Sequence, residues 1–351
     1  MVEGVEYTSL GRNGPRVSRI GLGMAALGRP AYITSGREDD FGADRSEATF
    51  RARSWEVLDA AHAAGIRYLD CARSYGSAEA FVAGWLARRS GGDVVVGSKW
   101  GYTYVGAWDP SAAVHEVKDH SLQSFERQYA ESRELLGPRL RLYQVHSATL
   151  ESGVLEDSRL HRALALQRDA GLLLGISTSG PAQAATIRRA LEIEVGGACL
   201  FGSVQATWNL LEPSAEAALA EAAQAGWAVI VKEVVANGRL TERGDAGAPG
   251  SVLGDLAAAA RVGPDAVAMA AALARPWVTL VLSGAATVAQ LTSNLGALEL
   301  AAVPAGGAQE GAAPSAGSPA SSRRAQLLPP LPDLAEPPDE YWRKRSQRPW
   351  R

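Results

Sequence analysis

The sequence contains only two cysteines, Cys71 and Cys199, and they lie far apart in the chain. Two distant cysteines do not form a disulfide framework, and no CxxC spacing or cluster of cysteine and histidine predicts a metal site. No apolar run reaches the roughly 18–20 residues that a membrane span requires. The amino terminus also lacks the basic and then apolar pattern of a secretory signal. We therefore expect a reducing compartment, with the cytoplasm as the default and a plastid as the alternative.

An excess of charge of one sign is also missing. The 35 basic and 38 acidic residues leave a net charge of −3, whereas nucleic-acid binders concentrate positive charge. The 351 residues are 46% hydrophobic, which is enough for one large core or two smaller ones. We expect a small molecule as the partner, and neither a nucleic acid nor a membrane. No pattern in the sequence specifies an oligomeric state.

Short β-rich segments alternate with helical segments along most of the chain. The strand candidates are RIGLGM, IRYLDCA, DVVVGSKW, LRLYQVHS, LLLGIST, LFGSVQATW, WAVIVKEV and WVTLVLSG. Mostly apolar strands that are each followed by a helix predict an α/β fold with a parallel sheet covered on its faces. The number of units favours a (β/α)8 TIM barrel of about 250 residues over an open doubly wound sheet. That alternative usually has a glycine-rich loop after its first strand, and Gly21, Gly23 and Gly28 are too loosely spaced for one. Ser121 is predicted to cap a helix that ends at Gly137.

Several segments lie outside this alternation. EYTSLG and RVSRIG flank a turn with glycine and proline, which predicts an N-terminal β-hairpin before the barrel. Residues 29–51 are polar and are expected to enlarge the barrel mouth. We assign residues 1–302 to the barrel and residues 303–325, rich in alanine, glycine, proline and serine, to a disordered low-complexity linker. Residues 326–351 form a C-terminal extension that is expected to cover the mouth.

Four polar residues stand at or near the carboxyl ends of consecutive predicted strands. Asp70 ends the second strand, Lys99 the third and His146 the fourth, and Tyr75 lies in the loop after the second. Taken singly, each has a common structural explanation as a turn former, a solvated cation, a surface phenol or a structural imidazole. In a barrel, however, the carboxyl ends of the strands converge on one mouth, where the chemistry takes place. The four residues together therefore predict an active site.

The chemistry of this set points to proton transfer. A free phenol has a pKa near ~10, which suits proton transfer at neutral pH poorly. A close cation stabilises the phenolate, so we expect Lys99 to lower the pKa of Tyr75 and make it a usable acid or base. Asp70 can hold Lys99 in place, and His146 can hydrogen-bond a substrate oxygen. Because these strand ends carry no metal ligands and no serine or cysteine nucleophile, we expect protonation of an oxygen, with the electrons supplied by another group.

At this point the sequence strongly resembles the aldo-keto reductases, NAD(P)H-dependent barrels that reduce aldehydes and ketones. The segments that carry the resemblance span about residues 7 to 300, in the family's order, and include YLDCARSYGSAE, VVVGSKWGY, LYQVHS, GIST, VKEVVANGRL and LSGAATVAQLTSN. The resemblance implies Asp70, Tyr75, Lys99 and His146 as the catalytic tetrad. Tyr75 would protonate the carbonyl oxygen as hydride arrives from nicotinamide C4.

The same resemblance implies a cofactor site. The residues that it assigns are Gly23 and Met24 as cofactor contacts, Ser177, Thr178 and Gln205 at the nicotinamide carboxamide, and Ser283, Gly284, Ala285, Thr287, Gln290 and Asn294 at the adenosine phosphate. Lys232 and Glu233 stand where the family commonly has tyrosine and serine, so Lys232 replaces a ring that would stack on the nicotinamide. Family usage favours NADP(H). NAD(H) is the alternative, because residues 285–290 contain no arginine or lysine for a 2′-phosphate.

The substrate is expected to bind among aromatic residues that closely follow the third strand, namely Trp100, Tyr102, Tyr104 and Trp108. Aromatic walls suit an apolar or aromatic carbonyl compound. The alternative is that some of these rings pack beneath the C-terminal extension.

Two functions remain open. One is a carbonyl reductase or alcohol dehydrogenase, and the other is a nucleotide-binding regulatory subunit, since potassium-channel β-subunits share the fold and the tetrad. A metal-dependent hydrolase is disfavoured by the lack of grouped ligands.

Overall fold

The structure, a computed structural model, describes residues 5–33, 37–89, 92–301, 326–327 and 333–350. Its centre is a closed barrel of eight parallel strands arranged in chain order. The strands are β1 (Ile20–Gly23), β2 (Tyr68–Asp70), β3 (Val95–Trp100), β4 (Leu140–Ala148), β5 (Leu173–Thr178), β6 (Ser203–Thr207), β7 (Ala228–Lys232) and β8 (Leu280–Ser283). Each corresponds to one predicted segment, so the sequence prediction of a TIM barrel is confirmed.

The barrel closes between its last and first strands. Val281 pairs with Ile20 and Ser283 with Leu22 in parallel register, so β8 hydrogen-bonds to β1. An open doubly wound sheet would leave both of these strands as edges, and that alternative is wrong. Every residue of β3 and β6 is buried, because side chains fill the barrel on one face and helices cover the other.

Helices follow the strands and form the outer layer. They are α1 (Glu47–Ala63), α2 (Ala78–Ala87), α3 (Leu122–Leu136), α4 (Ser158–Asp169), α5 (Gln183–Leu191), α6 (Glu216–Gln224), α7 (Val252–Ala260), α8 (Pro264–Leu273) and α9 (Val288–Leu295). The predicted cap at Ser121 is confirmed, since its side chain accepts a hydrogen bond from the Ser124 N–H, and α3 ends at Gly137 with a positive φ of 53°. Regular alternation of strand and helix thus places all strand carboxyl ends at one mouth.

The amino-terminal end of the barrel is closed by the predicted hairpin. Its strands, Tyr7–Ser9 and Arg16–Ser18, pair antiparallel. Leu10 and Val17 join a buried cluster with residues of the barrel interior such as Tyr68, Leu142 and Ile230. This apolar plug fills the lower half of the barrel, so polar side chains of the interior are confined to the upper half and the mouth.

Several further elements surround the mouth. They are a short helix (Arg37–Phe41), a hairpin of Tyr102–Tyr104 and Glu116–Lys118, and the C-terminal helix α10 (Pro338–Ser346). A third hairpin (Glu194–Val195 and Ala198–Cys199) and a strand pair (Leu300–Ala301 and Gln326–Leu327) are also present. The predicted linker, residues 303–325, lies outside the described residues. Within the described ranges no single helix is long and apolar enough to cross a membrane, and one bent pair, α7 and α8, meets the criterion by length and composition only.

Candidate active site

Lys99 lies at the centre of the polar upper half of the barrel. Its side chain is fully buried, and its Nζ donates hydrogen bonds to Asp70 Oδ2 at 2.5 Å, to the Cys71 carbonyl oxygen at 2.9 Å and to Tyr75 Oη at 3.3 Å. The other oxygen of Asp70 accepts from Gln205 Nε2 at 2.7 Å. A buried charge needs a partner with good geometry, and Asp70 supplies it here. The structure therefore brings three of the four predicted residues into direct contact.

The local sequence explains this arrangement. Asp70 pairs with Gly97 in the parallel register of β2 and β3, so Lys99, two residues further, points into the barrel above it. The turn that carries Tyr75 is attached to β3 through the Arg73 N–H, which donates to the Lys99 carbonyl oxygen at 3.0 Å. Gly28 packs against the Tyr75 carbonyl from the other side, in a position where a Cβ would overlap it. Backbone contacts on two sides thus hold the phenol over the ammonium.

His146 completes the group. Its ring lies 5.5 Å from the Tyr75 ring, centroid to centroid, in an edge-on arrangement. Burial, followed by the positive charge of Lys99, lowers the pKa of His146 well below its usual value, so the imidazole is neutral at physiological pH. Ser74 Oγ lies 3.3 Å from Nδ1. If Ser74 donates to Nδ1, the proton of the neutral ring is on Nε2, where it can be donated to a substrate oxygen. Sequence reasoning missed Ser74, although it directly precedes Tyr75.

The protonation state of Tyr75 differs from the sequence expectation. Burial raises the pKa of Tyr75 well above its usual value, and the Asp70 carboxylate adds to the rise. The expectation of a lowered pKa is therefore wrong in its net direction, because the cost of removing the phenolate from water outweighs the stabilisation that nearby cations provide. A phenol that stays protonated through the neutral range is ready to donate a proton, which suits the reduction of a carbonyl group.

A cavity of about 340 Å³ opens above these residues and continues across the mouth. Asp70, Tyr75 and His146 line one part of it. Of the predicted cofactor contacts, the structure brings six to the wall, namely Gly23, Gln205, Lys232, Ser283, Gly284 and Asn294. A Cβ built on Gly284 would meet no atom within 4 Å, so this end of the cavity is open. The cavity therefore joins Tyr75 to the polar side chains of Ser283 and Asn294 near its open end, and it is a candidate binding site for a small molecule.

The remaining predicted cofactor residues do not line the cavity. Met24, Thr178 and Ala285 are buried, as is Ser177, whose Oγ accepts from the Ser147 N–H at 2.8 Å. Thr287 and Gln290 are partly exposed. Thr287 instead caps α9 by accepting from the Gln290 N–H. Gln290 Nε2 donates to Asp40 Oδ2 at 2.8 Å, and Arg243 donates to Asp40 Oδ1 at 2.8 Å. Asp40, which sequence reasoning missed, thus links the start of α9 to the loop after β7.

Of the four aromatic residues predicted for the substrate pocket, only Tyr102 lines the cavity. Trp100 is fully buried and packs on Phe125, with ring centroids 5.1 Å apart. Trp108 packs edge-on against Phe50, and its backbone N–H donates to Tyr104 Oη at 3.1 Å. Strand alternation explains Trp100, because it follows Lys99 directly and so points to the opposite face of β3.

A further part of the cavity wall comes from the C-terminal arm, residues 333–350. Arg345, Ser346, Arg348 and Trp350 all line the cavity. Arg345 donates two hydrogen bonds to Glu233, at 2.8 and 2.5 Å. Trp350 stacks on His115, with ring centroids 4.6 Å apart, and the Arg29 guanidinium lies 4.6 Å from the Trp350 ring. The end of the chain, far from the barrel strands in sequence, is therefore part of the candidate site.

The backbone is strained at three residues that line the cavity, one of which is Asn237 with a φ of 55°. Glu233 follows β7 with a φ of 55°, and Ser147 follows His146 with a φ of 48°. Positive φ values are uncommon for residues other than glycine and concentrate at functional sites. In the described parts of the chain, no group of histidine, cysteine, aspartate and glutamate side chains could hold a metal ion.

Comparisons with known proteins identify relatives of this chain. A family model described as "Aldo/keto reductase family" matches residues 19–305. The chain is similar to "Uncharacterized oxidoreductase YrpG" of Bacillus subtilis (strain 168), with 27% identity over 84% of this chain and 92% of the relative. It is also similar to "Aldo-keto reductase str7" of Strobilurus tenacellus, with 34% identity over 32% of this chain and 30% of that protein.

Solved structures show the same fold. A putative aldo-keto reductase from Pseudomonas aeruginosa superimposes with a TM-score of 0.60 at 22% identity, covering 83% of this chain and 93% of its own. The holo form of aldo-keto reductase AKR11C1 from Bacillus halodurans superimposes with a TM-score of 0.63 at 22% identity, covering 86% and 93% of the two chains. At this identity the structural likeness supports the barrel architecture.

Proposed function

Because this chain belongs to the aldo/keto reductase family, whose members carry out NAD(P)H-dependent carbonyl oxidoreduction, we propose that Tyr75 is its proton donor in the reduction of an aldehyde or ketone. The observation that carries the proposal is the position of Tyr75 Oη, 3.3 Å from the buried Lys99 Nζ, at the wall of the cavity. A protonated phenol beside a fixed ammonium is an acid whose conjugate base is stabilised as it forms. The reverse reaction, alcohol oxidation, uses the same groups.

When bound, a nicotinamide nucleotide would supply a hydride ion to the carbonyl carbon. Tyr75 transfers its hydroxyl proton to the carbonyl oxygen, which completes the alcohol, and the resulting phenolate is stabilised by the Lys99 ammonium. Asp70 keeps this ammonium in place through the 2.5 Å contact. His146 donates from Nε2 to the same carbonyl oxygen and so orients the substrate, with Ser74 holding the tautomer. Each group acts in the protonation state that its surroundings favour at neutral pH.

The substrate that suits the wall is a carbonyl compound with polar groups. Tyr102 and Trp350 provide flat apolar surfaces, but the cavity is also lined by the charged side chains of Arg29, Glu116 and Arg345. The Arg29 guanidinium donates to Glu116 Oε1 at 2.6 Å, so a paired donor and acceptor lie beside Tyr75. A hydroxylated or otherwise polar carbonyl compound can exchange further hydrogen bonds with these ionised groups, whereas an alkyl chain would only exclude water from them. This differs from the apolar or aromatic substrate that the sequence suggested.

We expect measurable turnover in a panel of aldehydes and ketones. With NADPH or NADH, loss of nicotinamide absorbance should follow addition of a carbonyl compound, and hydroxylated aldehydes should have lower KM values than alkyl aldehydes of similar size. The alternative, a regulatory nucleotide-binding subunit, predicts tight nucleotide binding without turnover of any compound. Stopped-flow measurement with one molar equivalent of reduced cofactor per enzyme separates these outcomes, because it detects even one slow catalytic cycle.

Cofactor preference is expected to depend on Asp40. We propose NADP(H) as the favoured cofactor. Residues 285–290 contain no cation for its 2′-phosphate, and Arg243, which contacts Asp40 at 2.8 Å, would take that role. The Asp40 side chain is only 5% exposed, so its negative charge opposes a 2′-phosphate at this end of the cavity. Asp40→Asn should therefore tighten NADPH binding about ten-fold and change NADH binding little. Titration of both nucleotides by tryptophan fluorescence tests this, and equal changes for the two would contradict it.

A further inference from the structure

A second lysine faces the catalytic one across the barrel mouth. In the closed eight-stranded order, β7 lies four strands from β3, so the two strands are diametrically opposite. Lys99 stands near the end of β3 and Lys232 ends β7. Lys232 lines the same cavity as Tyr75 and His146, and its positive charge, like that of Lys99, lowers the pKa of His146 after the effect of burial. The two ammonium groups therefore act on one enclosed space.

The surroundings of Lys232 leave one positive charge in excess. Its Nζ donates to Thr207 Oγ1 at 2.8 Å and lies 3.6 Å from Glu233 Oε1. Glu233 also binds Arg345 through two hydrogen bonds, so one carboxylate is shared by two cations. Burial alone would raise the pKa of Glu233, but Arg345 and Lys232 hold it at about 2, so the carboxylate is ionised. Within the group of Lys232, Glu233 and Arg345, the net charge is therefore positive.

Lys232 is largely protonated at neutral pH. Burial lowers its pKa to about 8, with Glu233 acting in the opposite direction and Arg345 and Lys99 in the same one. The side chain remains 16% exposed, toward the cavity that it lines. A cation in this position is desolvated on one side and interacts strongly with any charge that develops in the cavity.

The proposed function determines where such a charge develops. The hydride acceptor is the carbon of a carbonyl group whose oxygen lies at Tyr75 Oη, on the β2 to β4 side of the mouth. The ring that donates the hydride must lie within reach of that carbon, between this side and the opposite wall, which includes Gln205 and Lys232. A nicotinamide ring is neutral when reduced and carries a positive charge when oxidised. A fixed cation on the opposite wall thus interacts unfavourably with only one of the two redox states.

We propose that Lys232 makes this protein bind reduced nicotinamide nucleotide in preference to the oxidised form, and so directs it toward carbonyl reduction and release of the oxidised product. The inference rests on the proposed function, because it needs the nicotinamide ring in the cavity. By linkage, the ratio of the two dissociation constants equals the shift in the equilibrium between the bound redox states. It can therefore be measured by binding alone, without any turnover.

The test compares dissociation constants for NADP+ and NADPH, and for NAD+ and NADH, by tryptophan fluorescence or calorimetry. Within each pair the two nucleotides share the same adenosine half, so its contribution to the binding free energy cancels in the ratio. Lys232→Met should lower the ratio of the oxidised to the reduced dissociation constant about ten-fold, an effect of the order expected for a partly neutralised charge at ~5 Å. Lys344→Met is the matched control. Lys344 is a cation of the C-terminal arm that pairs with Glu336 and does not line the cavity. An unchanged ratio in Lys232→Met would overturn the proposal.

A second variant that keeps the charge guards against a folding defect. Lys232→Arg retains a cation at this position, so the same ratio should stay close to the wild-type value. A fall in this ratio for Lys232→Arg as large as that in Lys232→Met would also overturn the inference, because it would show that the charge of residue 232 is not responsible. Failure of the proposed function is a separate outcome, recognised by nucleotide binding with no carbonyl reduction by the wild-type protein. Normal turnover combined with an unchanged ratio in Lys232→Met would refute the role of Lys232 alone.

Discussion

Tyr75→Phe should reduce the rate of carbonyl reduction by about 10²- to 10⁴-fold, the usual contribution of a positioned general acid. The variant removes one hydroxyl group and retains the ring that packs edge-on against His146. No other described side chain at the cavity wall offers a neutral hydroxyl proton within contact of Lys99 Nζ. Nucleotide binding should be almost unaffected, because the lost atom faces the substrate oxygen.

Single-turnover kinetics with pre-bound reduced nucleotide measure this effect on the chemical step. Tyr129→Phe is a suitable control, since Tyr129 loses the same atom on α3, where its ring packs on Phe125 and Tyr143. We expect wild-type rates for this control. Near-normal reduction by Tyr75→Phe would remove the proposed acid and transfer its role to His146 or to water.

Lys99→Met should abolish most of the activity for a different reason. Without the ammonium, the phenolate that forms as Tyr75 gives up its proton lies buried beside the Asp70 carboxylate and has no compensating charge. We expect a loss of about 10²-fold or more in the reduction rate. Breaking a buried ion pair in this way also costs about 3–5 kcal/mol of folding free energy, so thermal unfolding must be measured on the same sample.

The double variant Lys99→Met with Asp70→Asn separates the two effects. It removes both charges of the buried pair, so much of the stability should return while the activity does not.

The pH dependence provides an independent check. Alcohol oxidation needs the Tyr75 phenolate, and burial already raises the pKa of Tyr75, so wild-type oxidation should accelerate as the pH rises above neutrality. In Lys99→Met this acceleration should move to higher pH; an identical profile would contradict the role of Lys99.

The fold was readable from the sequence because its signals are local and repeated. Short apolar strands, each followed by a helix, specify a parallel barrel without knowledge of any long-range contact. A barrel in turn brings every strand end to one mouth, so Asp70, Lys99 and His146 could be grouped from their positions alone. The contact of Lys99 Nζ with Asp70 and Tyr75 agrees with that grouping.

The substrate wall was less predictable from the same patterns. Trp100 and Trp108 follow β3 closely, yet the structure packs them against Phe125 and Phe50. Proximity in sequence does not determine which face of a strand or hairpin a side chain occupies once the loops fold over it. The residues that replace them come from the C-terminal arm, whose docking depends on side-chain pairs such as Arg345 with Glu233.

The order of apolar and polar residues was therefore sufficient to establish the barrel, its mouth and the residues that meet there. Burial and long-range charge, which exist only in the folded chain, decided how those residues behave. They keep Tyr75 protonated against the expected effect of Lys99, hold His146 neutral, and place Lys232 and the C-terminal arm on the opposite wall. The physical reason is that electrostatic energies depend on desolvation and on distances between residues remote in sequence, whereas strand and helix formation depends mainly on near neighbours.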